Sequence, residues 1–344
     1  MDKITIIGTG TWGTALGMLL VDNGHQVTLW SAFPEELEGM EKTKTHRSLP
    51  GITLPEEFIY QPDLEKAMEG AKVLVLAVPS IYTRGTARKM AKFYRPEQII
   101  VNVAKGIEEH TLKVLNVQVE EEIPGANVCV LSGPSHAEEV SRKLPTTCVV
   151  GAHTKETAQK IQNIFMSPVF RVYISSDMLG IELGGSLKNV IALAAGIADG
   201  LGYGDNAKAA LITRGIVEIS RLGIAMGANI ETFYGLSGIG DLIVTCASKH
   251  SRNRKAGMLI GQGMSMDEAM KEVAMVVEGV YSAKAAKALA NKYNICMPIV
   301  DEVNAVLFEN KDPKQAVDAL MLRDRISESI KGCLLYTSPS PRDS

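Results

Sequence analysis

The first thirteen residues constrain the fold of this chain most narrowly. A short apolar run, Lys3–Ile7, leads into the turn Gly8-Thr-Gly10-Thr-Trp-Gly13, and a helical pattern of apolar residues follows it. A G-x-G-x-x-G turn between a strand and a helix is typical of dinucleotide-binding units, because Gly8 permits a tight turn and Gly10 lets a pyrophosphate approach the backbone. Gly13 lets the helix pack closely on the strand, and the diphosphate then lies at the positive end of that helix. A glycine-rich surface turn is the alternative interpretation.

The rest of the N-terminal half alternates continuous apolar runs with helical patterns such as Lys155–Phe165. Continuous apolar runs are typical of strands that are buried on both faces of a mostly parallel sheet. The predicted further strands are Gln26–Trp30, Lys72–Val78, Gln98–Val103, Asn127–Leu131, Thr146–Val150 and Val169–Ile174. We therefore predict a Rossmann-type, doubly wound α/β domain over residues 1–176, with ligands at the carboxyl ends of its strands.

Helical periodicity replaces the strand pattern from about Asp177. The predicted helices are Leu183–Ala198, Ala207–Met226, Asn253–Gly261, Ser282–Lys292 and Ile299–Phe308, and Asp312-Pro313 predicts the start of a last one. We predict an all-helical substrate and catalytic domain over residues 177–332 and a site between the two domains. Residues 333–344 are rich in Ser and Pro, and we interpret them as a disordered tail or a cloning or sequencing scar.

Composition excludes several classes of protein. With 36 basic and 39 acidic residues the formal net charge is −3, which argues against a general binder of nucleic acid or of anionic membranes. The five cysteines are scattered, and neither they nor the histidines have the spacing of a metal site. We expect a reduced, cytoplasmic protein with no metal and with no segment long and apolar enough to span a bilayer.

Two lysines are candidates for redox chemistry on a ketone or alcohol, which needs a proton donor beside the nucleotide. Lys105 follows a predicted buried strand and should point into the crevice at its carboxyl end, although a solvated loop lysine is the alternative. Lys188 lies one turn after Gly184 and Gly185, whose pairing within a helix indicates a close approach by another part of the molecule. Burial and a second lysine would lower the pKa of Lys188 toward neutrality, whereas a position on the wet edge of the helix would leave it unperturbed.

Polar residues suited to an anion lie further along. Asp241 is flanked by glycine and apolar residues and can orient a lysine ammonium group. Ser251, Arg252 and Asn253 precede a helical pattern and form a set of donors beside a helix N-terminus, which suits one phosphate. A helix cap accompanied by solvated basic residues is the alternative interpretation.

A turn between a predicted strand and a helical stretch offers further polar groups. It contains Gly133-Pro-Ser135-His136, whose backbone and hydroxyl groups can bind a small polar substrate. We expect His136 to have a structural role, because a lone histidine beside a helix start is more often structural than catalytic.

Taken in order, these segments resemble bacterial-type NAD(P)-dependent glycerol-3-phosphate dehydrogenases over residues 1–332. The matching pieces are the glycine turn at 8–13, Ala104-Lys-Gly106, Leu131-Ser-Gly-Pro-Ser135, Gly185-Ser-Leu-Lys-Asn-Val190, Gly196–Gly202, Gly235–Asp241, Ser251-Arg-Asn253 and Val276-Val-Glu-Gly279. The resemblance implies a Rossmann domain followed by a helical domain. It also implies a homodimer that reduces dihydroxyacetone phosphate to sn-glycerol 3-phosphate for phospholipid synthesis.

The resemblance implies roles for individual residues, with Lys188, Lys105 and Asp241 as the catalytic set and Lys188 as the proton donor and acceptor. The substrate-binding set is Lys105, Gly133, Ser135, Lys188, Asp241, Thr245, Ser251, Arg252 and Asn253. The cofactor-binding set is Gly8, Gly10, Thr11, Trp12, Gly13, Phe33, Lys105, Ala137, Arg252, Val276 and Glu278.

One departure from the family pattern bears on the choice between NAD and NADP. Many relatives carry Arg or His just after the second strand, where a cation meets the 2′-phosphate of NADP, but this chain has Trp30-Ser-Ala-Phe-Pro34 there. We therefore expect NAD to be favoured over NADP. Two rival functions stay open at this point: another hydroxyacid or β-hydroxyacyl dehydrogenase of the same architecture, and a non-catalytic protein that senses NAD(H). The expected partner is a small phosphorylated triose, with no nucleic acid and no stable membrane insertion.

Overall fold

Eight strands form one sheet in the computed structural model, which describes residues 1–324 of the chain. The strands are β1 Lys3–Ile7, β2 Gln26–Trp30, β3 Ile59–Tyr60, β4 Val73–Leu76, β5 Ile99–Asn102, β6 Asn127–Ser132, β7 Thr146–Ala152 and β8 Phe170–Ser175. Their order across the sheet is β3-β2-β1-β4-β5-β6-β7-β8. All neighbouring pairs are parallel except β6 and β7, so the predicted, mostly parallel, doubly wound sheet is confirmed.

Helices cover this sheet and bury both faces of its central strands. They are α1 Thr11–Asp22, α2 Pro34–Thr43, α3 Leu64–Met68, α4 Thr83–Met90, α5 Leu115–Glu122, α6 Ala137–Val140 and α7 Lys155–Phe165. The order of the strands reverses at β1, which lies between β2 and β4. A crevice forms beyond the carboxyl ends of the strands at such a reversal, and this is where the glycine turn begins.

The part of the chain that follows β8 is helical throughout the described residues. Its helices are α8 Met178–Gly200, α9 Asp205–Ala225, α10 Ile230–Phe233, α11 Asp241–Ala247, α12 Arg252–Gly261, α13 Met266–Val273, α14 Glu278–Tyr293, α15 Pro298–Phe308 and α16 Pro313–Met321. The predicted domain division between residues 176 and 177 lies in the link between β8 and α8 and stays a prediction. The predicted tail, 333–344, and the last residues of the predicted second domain lie outside the described residues.

Helix α8 is the centre of the helical domain, and α9, α11, α12 and α14 pack around it. It is 23 residues long and has a mean hydropathy of 1.3, so by length and composition it qualifies as a membrane span. The prediction that no segment is long and apolar enough was therefore wrong. The most apolar stretch of α8 is completely buried within the protein, because this helix forms the core against which the others pack.

Candidate active site

The glycine turn between β1 and α1 has the geometry that the sequence predicts. Gly8 adopts a φ of +108°, and its N–H donates to the carbonyl of Trp30 at 2.9 Å. A Cβ on Gly13 would lie 2.2 Å from the carbonyl oxygen of Gly8, so only glycine allows α1 to start this close to the strand. By contrast, no described atom lies within 4 Å of the Cβ position of Gly10. The backbone at Gly10 is therefore open to a ligand.

The other residues of the predicted cofactor set lie around this turn and across the domain junction. Trp12 is half-buried against the core of the sheet, and Ala137 is buried at the start of α6. Phe33 is exposed and precedes α2. Glu278 begins α14, and its carboxylate accepts hydrogen bonds from the backbone N–H and hydroxyl of Ser80, which follows β4.

Lys105 and Lys188 meet at one carboxylate. Lys105, which follows β5, places its Nζ 2.7 Å from Oδ2 of Asp241, and Lys188 Nζ donates to the other oxygen, Oδ1. Lys188 Nζ also donates to Oγ1 of Thr245 at 2.7 Å. Lys105 Nζ further donates to the carbonyl of Gly133 at 3.1 Å. The two lysines, predicted to converge from distant parts of the sequence, are thus brought together by the fold.

Burial sets the electrostatics of this cluster. Lys188 is 6% exposed and Asp241 is 1% exposed, so the wet-edge alternative for Lys188 is wrong. Burial lowers the pKa of Lys188 to about 7, because Asp241 only partly offsets it and the charge of Lys105 lowers the pKa further. Burial acts to raise the pKa of Asp241, but the two ammonium groups outweigh it, and this pKa lies below its usual value. Lys188 can therefore exchange a proton near neutral pH beside a permanently charged aspartate.

The paired glycines of α8 accommodate two other parts of the site. A Cβ on Gly184 would lie 2.4 Å from the carbonyl oxygen of Ser237, in the segment that leads to Asp241. A Cβ on Gly185 would lie 3.0 Å from Oγ of Ser132, at the end of β6, and 3.5 Å from Cγ of Lys105. The predicted close approach at these glycines is confirmed: the Asp241 segment approaches Gly184 and Ser132 approaches Gly185, with the stem of Lys105 in van der Waals contact beside it.

The predicted anion-binding residues lie at the start of α12, and two of them already have partners in the protein. Ser251 caps α12 by accepting from the backbone N–H of Arg254 at 3.2 Å. The amide of Asn253 donates to Asn189 at 2.9 Å and accepts from the backbone N–H of Gly279 at 2.8 Å. Arg252 is exposed. The cap predicted as the alternative is therefore present, and it leaves the guanidinium of Arg252 accessible.

The turn after β6 lies beside the lysines. Gly133 has a φ of +147°, and its carbonyl accepts from both Lys105 and Ser135, the latter at 2.9 Å. The ring of His136 lies 5.8 Å from that of His250, across the domain junction. Burial, followed by the charge of Lys188, lowers the pKa of His136, so this histidine is neutral at pH 7.

Several residues of this region were not anticipated from the sequence. His46 lies 3.0 Å from the carbonyl oxygen of Thr9 in the glycine turn, and Ser80 holds Glu278. Glu182 on α8 contacts the root of the Lys105 loop through Asn102. An acidic residue within an apolar helical pattern, two residues before the paired glycines, was the available signal for Glu182. The partners of His46 and Ser80 are too distant in the chain for local patterns to indicate.

The fold and this site define a Rossmann-type dehydrogenase, a class that comparison with known proteins narrows further. Family models for the N-terminus and C-terminus of NAD-dependent glycerol-3-phosphate dehydrogenase match residues 3–158 and 177–318. The chain therefore belongs to the NAD-dependent glycerol-3-phosphate dehydrogenase family.

Individual relatives agree with this assignment. The chain is 63% identical to glycerol-3-phosphate dehydrogenase [NAD(P)+] of Agathobacter rectalis over 326 residues, covering 94% of this chain and 97% of that protein. It is 58% identical to the Fusobacterium nucleatum protein of the same name, covering 94% and 98%. The crystal structure of glycerol-3-phosphate dehydrogenase from Coxiella burnetii superposes with a TM-score of 0.90 at 36% identity, covering 94% and 99%.

Proposed function

We propose that the protein reversibly reduces dihydroxyacetone phosphate to sn-glycerol 3-phosphate with NADH or NADPH, supplying glycerophospholipid synthesis. The observation that carries this proposal is the convergence of two amines, Lys105 and Lys188, on the buried carboxylate of Asp241. Membership in the glycerol-3-phosphate dehydrogenase family supports the choice of substrate and favours a catalyst over an NAD(H) sensor.

The residues of the glycine turn fit a dinucleotide. The backbone at Gly10 faces open space, and the hydroxyl of Thr11 is buried without a hydrogen-bond partner among residues 1–324. Gly8, Gly13, Trp12 and the start of α1 would hold the diphosphate, and the predicted set extends to Phe33, Ala137, Arg252, Val276 and Glu278. When bound, the reduced nicotinamide supplies the hydride that the substrate carbon accepts.

Lys188 holds the proton that the ketone oxygen needs. With a pKa of about 7, its ammonium group can release a proton to the forming alkoxide and its amine can recover one in the reverse direction. Thr245 and Asp241 contact this amine and fix its position on α8. A general acid whose pKa lies near the operating pH is most effective in both directions.

Lys105 supplies positive charge to the same oxygen. Its ammonium group is held by Asp241 and by the carbonyl of Gly133, at the edge of the sheet where substrate and cofactor would meet. Positive charge that is already in place stabilises the developing alkoxide without reorganisation. The carboxylate of Asp241 holds both amines in place and prevents their mutual repulsion from separating them.

The phosphate of the substrate would lie at the start of α12. Arg252 is exposed in the first turn of this helix, Asn253 lies next to it in the chain, and Ser251 caps the helix. A phosphate held there orients the ketone toward the lysines, so that binding energy is converted into positioning. Gly133 and Ser135 offer polar groups to the remainder of the triose.

The end of β2 supports NAD as the favoured cofactor. The carboxylate of Glu36 lies 3.5 Å from the hydroxyl of Ser31, which follows β2 and is buried. An acidic group at this position accepts a hydrogen bond from the ribose 2′-hydroxyl of NAD and repels the 2′-phosphate of NADP. A preference for NADP would instead require a cation at the 2′-phosphate, and Arg47, near His46, is the candidate for that contact.

We further propose that the enzyme is a cytoplasmic homodimer that acts on a small phosphorylated triose and binds neither nucleic acid nor a membrane. A net charge of −3 supports the exclusion of polyanions. Light scattering of the purified protein tests the dimer, since a monomer mass at micromolar concentration would contradict it.

One assay tests the activity. Oxidation of NADH and of NADPH is followed with dihydroxyacetone phosphate and with a panel of ketoacids, using Lys311→Ala as the control variant. Lys311 forms an ion pair with Glu302 beside α15, away from the site. We expect turnover with dihydroxyacetone phosphate that survives in Lys311→Ala and falls to a small residual rate in Lys188→Ala. Turnover with the ketoacids alone, or none with any ketone, would refute the proposal.

A further inference from the structure

A buried polar cluster lies behind the lysine pair, where the sheet contacts α8. Glu182 of α8 is 5% exposed, and its Oε1 accepts from the backbone N–H of Asn116 at 3.0 Å, with the N–H of Leu115 as a second backbone donor. The same Oε1 accepts from Nδ2 of Asn102 at 3.4 Å. All three partners are N–H donors of the Rossmann domain, although Glu182 itself belongs to the helical domain.

Asn102 connects this carboxylate to the loop that carries Lys105. It ends β5, and its Oδ1 accepts from the backbone N–H of Ala104 at 3.2 Å. Its Nδ2 faces both Glu182 and the carbonyl of Ala104. An inverted amide would place Oδ1 against Oε1 of Glu182, which already accepts from the backbone of Asn116, and would leave the N–H of Ala104 unpaired. Glu182 therefore fixes the orientation of the amide that shapes this turn.

The loop then runs along α8 to the site. The stem of Lys105 packs on Gly185, which lies three residues after Glu182 and three before Lys188. Residues three apart on a helix are neighbours on its surface. One helix thus holds the root of the loop at Glu182, supports the stem of Lys105 at Gly185 and carries Lys188.

We propose that Glu182 is a positioning residue for Lys105. Through Asn102, its side chain holds the Lys105 loop against α8, so that the amines of Lys105 and Lys188 meet at Asp241. This inference rests on the proposed role of Lys105 in the reaction. A catalytic group displaced by about 1 Å loses on the order of 100-fold in rate, so the hold on the loop has a large effect on kcat.

A comparison with Glu218 distinguishes a positioning role of Glu182 from a purely structural role. It is also a buried glutamate, 3% exposed, and from α9 it accepts the backbone N–H groups of Ile299, at 2.9 Å, and Val300 at the start of α15. Burial raises the pKa of both acids, that of Glu182 to about 8 and that of Glu218 to about 7. Glu218 therefore duplicates the capping contacts of Glu182 at a helix that carries no residue of the proposed site.

The test compares kcat, KM and urea unfolding in Glu182→Ala and Glu218→Ala, because alanine removes the accepting oxygen that glutamine would keep. We expect both variants to lose stability, but kcat to fall at least about tenfold only in Glu182→Ala. Asn102→Ala is the second variant, because it leaves Glu182 its backbone donors while it cuts the connection to Lys105. It should lower kcat similarly, even if Glu182→Ala fails to fold.

A double-mutant cycle gives a measurement that a purely structural role of Glu182 would not affect. In the Lys105→Ala background, Glu182→Ala should change kcat by less than about twofold, because both changes remove the same interaction. Full additivity, or wild-type kcat in Asn102→Ala, would overturn the inference while leaving the proposed function intact. Wild-type kcat in Lys105→Ala would overturn the role of Lys105 itself, and this inference with it.

Discussion

Replacing Asp241 with asparagine removes the charge between the two site lysines and keeps the size of the side chain. Asp241 is 1% exposed, and its carboxylate contacts Nζ of both Lys105 and Lys188. Breaking a buried ion pair by removing one partner costs about 3–5 kcal/mol. We expect the lower part of this range for the free energy of unfolding, because the side chain of Lys105 is 19% exposed and Lys188, with a pKa of about 7, can lose its proton.

Catalysis should suffer more than stability does. Without the carboxylate the pKa of Lys188 falls below its native value of about 7, since the attraction of Asp241 raises it in the native protein. Lys188 is then deprotonated at neutral pH, and Lys105 is released from its place. We expect kcat for ketone reduction to fall about 100-fold or more.

Asp199→Asn is the matched control for this experiment. The carboxylate of Asp199 also lies between two cations, with Lys208 Nζ at 2.9 Å and Arg254 Nε at 2.6 Å, and its side chain is 12% exposed. It lies on α8 about 16 Å beyond Lys188 along the helix axis. The assays are urea unfolding and steady-state NADH oxidation. If Asp241→Asn has the same kcat as Asp199→Asn, the carboxylate of Asp241 does not organise the lysines and the reasoning is refuted.

Three further substitutions test other parts of the site. Arg252→Ala should raise KM for dihydroxyacetone phosphate at least about tenfold, with a smaller change in kcat, since its guanidinium is proposed to hold the phosphate; an unchanged KM removes it from the phosphate site. Gly13→Ala should destabilise the protein by about 1–3 kcal/mol and weaken NADH binding, because the new Cβ would lie 2.2 Å from the carbonyl oxygen of Gly8; wild-type stability in urea would contradict this. The kcat/KM for NADH should exceed that for NADPH, and Glu36→Gln should narrow the difference; a native preference for NADPH would indicate that Arg47, not Glu36, faces the ribose.

Local sequence patterns predicted much of the fold. The bounds of β1, β2 and α7 agree with the predicted ones, because apolar runs and amphipathic patterns bounded by glycine, proline or capping residues specify an element locally. Helix α13 was missed although Ser265 and Glu268 form a capping box at its start, which is a legible signal. The direction of β7 relative to β6 was beyond local reasoning, since it depends on pairing between distant segments.

The site, like the fold, was only partly predictable from the sequence. The convergence of Lys105 and Lys188 was predictable, because the end of a parallel strand and a buried helix at the domain junction face one crevice. The partners that set their environment were not all predictable: the link from Glu182 to Asn102 joins residues far apart in the chain. Likewise, composition alone makes α8 resemble a membrane span, and only tertiary packing identifies it as a core helix.

The pH dependence of kcat in both directions tests the central role of Lys188 most directly. Because burial lowers its pKa to about 7, its protonated form predominates below pH 7 and its neutral form above. We predict that kcat for reduction of dihydroxyacetone phosphate falls as pH rises through about 7, and that kcat for oxidation of glycerol 3-phosphate rises over the same interval. Both limbs should disappear in Lys188→Ala. Limbs of the same sign in the two directions, or limbs that persist in Lys188→Ala, would contradict a proton carried by this amine.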